Sequence, residues 1–174
     1  GAVVTNPLYI NSPEYDKSIE PYPYNPKKAE ELLKEAGWID HDNDGIIDKD
    51  GVKFAFEFLI PGGSETGEKI ATILKEELDQ VGIHMDIRKT EWAVFTSRLM
   101  DRNFDAVTLA WSMGVESDPY QIWSSTQAES GSNFVGFKNE EADKLINQAR
   151  TEFDREKRKE LYNKFAKIVH EEQP

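Results

Sequence analysis

Cysteine is absent from the 174 residues, and no apolar run approaches the ~20 residues needed to cross a bilayer. Without a thiol there is no disulfide scaffold, no thiolate-bound zinc and no cysteine nucleophile. Basic side chains are scarce, 21 against 33 acidic ones. The resulting net charge of -12 opposes a duplex nucleic-acid binder, which needs clustered Lys and Arg to neutralise phosphates. The three histidines, His41, His84 and His170, form no i,i+4 pair and show no metal-ligand spacing. There is no G-x-S-x-G elbow, no internal repeat and no low-complexity segment. Paired carboxylates suited to glycoside hydrolysis carry no weight, because so acidic a chain always supplies some such pair.

What is present is globular. An aromatic content of 11% argues against a disordered polyanion, and the length suits one domain with a proper core. Residues 1–26 hold five of the eight prolines and read as an extended lead-in that wraps a neighbouring surface. Asn25 then caps a helix with Pro26 at its first position, Ala29, Leu32, Leu33 and Ala36 form its apolar face, and Gly37 ends it. Residues 53–60 predict a strand with Phe54, Phe56, Phe58 and Ile60 on one face. A helix follows that carries Ile70, Ile73, Leu74, Leu78 and Val81 and ends at Gly82. A second strand alternates over residues 83–88, a short helix carries Trp92, Phe95 and Leu99, and a third strand spans 104–111. This order predicts an α/β fold on a βαβαβ unit with a parallel-containing sheet and flanking helices. Two more helices use Ala142, Leu145, Ile146 and Ala149 behind Asn139, and Leu161, Phe165, Ile168 and Val169 behind Asp154. Residues 1–174 thus read as a single α/β lobe with residues 1–25 as lead-in.

Three segments invite a chemical reading. The acidic loop Asp40-His41-Asp42-Asn43-Asp44-Gly45-Ile46-Ile47-Asp48 places carboxylates at positions 1, 3, 5 and 9 and Gly at 6, a pattern that wraps oxygens around Ca²⁺. Position 12, a bidentate Glu in an EF-hand, is Gly51 here, so Asp40, Asp42, Asp44 and Asp48 stand as candidates for a weak structural calcium clip or for a solvated loop. The Gly62-Gly63-Ser64-Glu65-Thr66-Gly67-Glu68-Lys69 string imitates a phosphate loop, but Glu68 stands where the lysine belongs, and a strand-to-helix turn is the better reading. The stretch from Trp111 to Trp123 follows the C-terminal end of a parallel strand, where open α/β sheets bind ligands. An indole, a thioether, hydroxyls and two carboxylates suit an organic ligand with a cationic or polyhydroxyl group; alternatively, the tryptophans are core anchors and Asp118-Pro119 starts a helix.

The chain resembles the C-terminal lobe of the extracytoplasmic solute-binding proteins that serve oligopeptide, dipeptide and nickel ABC importers. The resemblance runs in order through Tyr24-Asn25-Pro26 to Ala36-Gly37-Trp38, Asp42-Asn43-Asp44-Gly45-Ile46 to Asp50-Gly51, and Ile70-Ala71 to Val81-Gly82-Ile83. It continues through Phe104-Asp105-Ala106 to Trp111 with Asp118-Pro119, then Asn133-Phe134-Val135-Gly136-Phe137, Asp143 to Ile146, Asp154 to Tyr162 and Glu172-Gln173-Pro174.

The resemblance implies one lobe of a two-lobed periplasmic-binding-protein type II fold. That protein closes over an oligopeptide and delivers it to an ABC permease in the membrane. It also implies an extracytoplasmic place, periplasmic or lipid-anchored, a partner lobe of the same polypeptide upstream of residue 1, a monomer, no enzymatic activity and no required cofactor. Trp111, Ser112, Met113, Gly114, Glu116 and Asp118 are the expected ligand-binding residues. Trp111 would give an apolar wall, Ser112 and the local backbone hydrogen bonds, and Glu116 or Asp118 the counter-charge. Peptide-binding members commonly place an Asp three residues after the loop tryptophan; here that position is Gly114, which leaves sugar or a nickel complex open as ligand. A reading from another class, motivated by the acidic loop alone, is a calcium-stabilised extracellular structural or adhesion domain.

Overall fold

The computed structural model describes residues 3–112, 114 and 118–174. These fall into two compact units, Pro23–Ala110 and the pair of segments Gly1–Tyr22 with Trp111–Pro174.

The first unit opens with α1 (Pro26–Glu35), whose first turn is capped as expected: the Asn25 side chain accepts the Lys28 N–H, and Pro26 occupies the first position. Ile39 and Asp48 exchange both backbone hydrogen bonds, which pinches off the acidic loop. A small hairpin follows, β1 (Asp48–Lys49) and β2 (Val52–Lys53), turned by Asp50-Gly51 with both residues at positive φ. The main sheet consists of β3 (Ala55–Pro61), β4 (His84–Thr90) and β5 (Ala106–Val107), all parallel, in the order β4-β3-β5. Between them lie α2 (Glu65–Asp79), capped by Ser64, and α3 (Trp92–Met100). The chain steps one way from β3 to β4 and back across β3 to β5, so a common crossover hand puts α2 and α3 on opposite faces. Phe58, Ile60, Ala71 and Met85 form the core on one side; Leu59, between the two β3 residues, is fully buried on the other. The expected α/β fold with a parallel sheet is present.

Several expected details differ. The first main strand starts at Ala55, because Lys53 is paired with Asp48 in the hairpin. The third is two residues long, since only Phe58↔Ala106 and Leu59↔Val107 pair with β3. Helix α2 meets the sheet through Ala71 and the half-buried Leu78, while Ile70 and Ile73 are 50% and 59% exposed. Ala71, rather than a larger aliphatic, is the fully buried residue at this contact. Helix α1 buries no residue.

The second unit is built on an antiparallel helical pair, α5 (Glu140–Thr151) and α6 (Arg155–Glu172), preceded by the short α4 (Tyr120–Trp123) and a 3₁₀ turn at Ser125–Gln127. Asn139 and Asp154 cap the two long helices as expected. Ala142, Leu145, Ile146 and Ala149 face Phe165 and Val169, and the lead-in adds Leu8 and Tyr15 to the same core. Trp123 meets Phe137 and Phe165 edge-on at 5.9 and 6.4 Å. Above them sits Asn133, with 0% exposure: its amide donates to the Ser124 and Phe137 carbonyls, and its oxygen accepts the Phe137 N–H.

Two stability outcomes follow. Asn133→Ala strands three buried backbone groups and is expected to cost about 2–4 kcal/mol. The readout is a lower urea midpoint with unchanged slope; a shift under about 0.5 kcal/mol contradicts the account. Gly82 adopts φ +77, its carbonyl accepts the Ile47 N–H, and a Cβ there would lie 2.8 Å from the Ile47 Cγ2. Gly82→Ala is expected to cost about 1–3 kcal/mol in the same assay.

Candidate functional site

The chain leaves β5 through residues 108–110 and begins the second unit at Trp111. The Trp111 indole stacks on Phe134, with ring centroids 6.2 Å apart and planes 15° from parallel, and remains 46% exposed. Phe134 owes its position to the neighbouring Asn133, whose buried amide shapes the 133–137 turn, and Val135 beside it is exposed. The result is an open aromatic face carried by a buried polar anchor. Ser112 and Gly114 are exposed next to it, and a Cβ at Gly114 would meet nothing within 4 Å. Met113 and Glu116, both expected in the site, lie outside the described residues.

Asp118 is committed to its own unit. One carboxylate oxygen accepts the Tyr120 N–H at 3.0 Å, and the other lies 2.8 Å from the Arg150 Nε. The guanidinium of Arg150 lies over the Tyr120 ring, 4.2 Å from its centroid. Tyr120 in turn exchanges a hydrogen bond with the Thr126 hydroxyl at 3.0 Å. Below this cluster, burial pushes the Tyr162 phenol above its ordinary range, and the negative charge of Asp118 pushes it further. Phe134, Tyr120 and Arg150 were not named as site residues from the sequence. The signal for Phe134 was its place in the Asn133-to-Phe137 string, and for Arg150 its position in the last turn of an amphipathic helix.

The acidic loop is a separate cluster in the first unit. One carboxylate oxygen each of Asp40, Asp42 and Asp48 lies within 4.8 Å of the others, hard oxygen donors of the kind Ca²⁺ prefers. Asp44 is engaged elsewhere, with the Ile46 N–H and the Lys53 ammonium. Lys53 also lies 3.4 Å from Asp42. The Asp40 carboxylate accepts the Asp44 and Gly45 N–H groups, and Asp48 holds the backbone N–H and the ring of His41. The carboxylates thus serve as internal caps that fold the loop, and a lysine offsets part of their charge.

The remaining motifs stay structural. Gly63 turns the chain at positive φ and Ser64 caps α2, so the 62–69 string is a strand-to-helix turn. His41 pairs with Asp48, His84 with Asp86, and His170 stacks on Tyr22 with its Nδ1 3.0 Å from the Thr5 carbonyl. That last stack borders a groove of about 410 Å³ between the lead-in and the end of α6.

Comparison with known proteins gives these features a context. The oligopeptide-binding protein AppA of Bacillus subtilis (strain 168) is 37% identical over 171 residues, 97% of this chain and 31% of its own length. Its structure in complex with a nonapeptide superposes on the whole chain with a TM-score of 0.94 and 36% identity, the chain covering 35% of it. NikZ from Campylobacter jejuni, solved in complex with Ni(L-His), aligns over 97% of this chain and 34% of its own, with a TM-score of 0.87 and 26% identity. The oligopeptide-binding protein from Thermus thermophilus, complexed with a pentapeptide, aligns over 98% and 32%, with a TM-score of 0.86 and 28% identity. The chain therefore spans about a third of the length of the relatives it matches. The model described as "Bacterial extracellular solute-binding proteins, family 5 Middle" matches residues 1–134, and with that match the chain belongs to the bacterial extracellular solute-binding proteins of family 5.

Proposed function

We propose that the chain is part of a substrate-binding protein that captures oligopeptides outside the cytoplasm and hands them to an ABC permease in the membrane. The observation that carries this reading is the open Trp111–Phe134 face, in a chain 37% identical to an oligopeptide-binding protein. Trp111 supplies an apolar wall for a ligand side chain, and Ser112 and the backbone around it supply hydrogen bonds. Gly114 leaves open space beside them, and Met113 and Glu116 complete the candidate set from the sequence. The role is capture and release by a monomer, not catalysis, and it needs no cofactor. The second lobe of the cleft belongs to the rest of the polypeptide. No helix among the described residues is long and apolar enough to cross a membrane. An extracytoplasmic place, free or lipid-anchored, accords with the family.

The test is calorimetry on the full-length gene product, using the peptide identified by mass spectrometry in the protein as purified. Trp111→Ala is expected to weaken binding by about 2 kcal/mol, roughly thirtyfold, as for a buried aromatic anchor. The 174-residue chain alone is expected to bind only weakly. Unchanged affinity in Trp111→Ala, or a sugar or nickel complex in place of a peptide, contradicts the reading.

A further inference from the structure

We propose that Asp118 is a positioning residue, held by Arg150 and Tyr120, and that it does not receive the ammonium group of a ligand. The proposal deepens the peptide-binding reading of the 111–118 segment and rests on it.

A carboxylate offers about four acceptor sites but only one negative charge, and a cation already seated on it matches that charge. Both oxygens of Asp118 are used within the unit, one as an acceptor for the Tyr120 N–H and one in the 2.8 Å pair with Arg150. A ligand ammonium would have to share that single charge with a guanidinium that is permanently charged and also held over the Tyr120 ring. A second cation at a half-exposed carboxylate whose charge is already matched gains little and faces repulsion from Arg150. The geometry instead fits a staple. Helix α5 grips the 118–126 segment twice, through Asp143, whose carboxylate accepts the Ser125 N–H at 2.8 Å, and through Arg150 two turns on. The Tyr120 hydroxyl and Thr126 join the two grips. Asp118 is thereby tied to α5, as Trp111 is tied to Phe134 by their stack.

The test uses the full-length gene product and a random-sequence nonapeptide library, half with free and half with acetylated amino termini. After gel filtration, retained peptides are counted by mass spectrometry. Asp118→Asn keeps the acceptor for Tyr120 and removes the charge. The acetylated-to-free ratio is expected to stay within twofold of wild type, while total retention falls equally in Asp118→Asn and Arg150→Gln. A tenfold shift toward acetylated peptides in Asp118→Asn overturns the proposal, because it marks Asp118 as the ammonium receiver. If no form retains peptide, the peptide reading fails, and the staple is judged by amide exchange alone. Exchange across residues 118–126 is then expected to be several-fold faster in each single variant and no faster in the double. Additive increases, or none, overturn the staple.

Discussion

The buried amide of Asn133 is the interaction on which the candidate site depends. Its three hydrogen bonds join the backbone at Ser124 to the backbone at Phe137, in a place that excludes water. Polar groups left unpaired there would each cost the full loss of hydration, so the loop between them has one strongly preferred shape. That shape seats Trp123 and Phe137 on Phe165 and presents Phe134 to the indole of Trp111. It also sets the entry to α5, the helix that carries Arg150. A polar residue at the centre of an aromatic core thus decides where an exposed aromatic face lies.

The two units solve the burial problem differently. The helical unit has a large continuous core to which both ends of the chain contribute, Leu8 and Tyr15 from one and Val169 from the other. The sheet unit buries Phe58, Ile60, Ala71 and Met85 in one small cluster, with Leu59 on the other face of the sheet, and leaves Leu32, Ile70 and Ile73 half exposed. Its order comes as much from backbone geometry as from burial: seven paired positions between β3 and β4, the Ile39–Asp48 bridge, and Gly82 at positive φ under Ile47. The acidic loop follows the same principle, with carboxylates spent on backbone N–H groups and on Lys53.

Much of this was legible from residue order. The caps at Asn25, Asn139 and Asp154, the apolar face of α5 and the βαβαβ order appear where local patterns put them, since capping and periodicity act within a few residues. The inward face of α2 was not legible. Ile70, Ile73 and Leu74 have the right spacing, but spacing gives only a stripe; the stripe that meets the sheet runs through Ala71 and Leu78. The length of β5 was also hidden, because an apolar run from 104 to 111 says nothing about how far its neighbour pairs with it. In the site, Trp111 and Asp118 stood out by residue type and by their place after a strand. Arg150 lies 32 positions beyond Asp118, and no local pattern couples them; only the fold reveals that the carboxylate already has its cation.

The central claim is that the segment opening on Trp111 meets the transported ligand. It is tested most directly by amide hydrogen exchange on the full-length gene product, with and without the peptide retained on purification. The account predicts ligand-induced protection across residues 108–114 and unchanged exchange in the acidic loop at 40–51. Equal exchange at 108–114 in both states would contradict it.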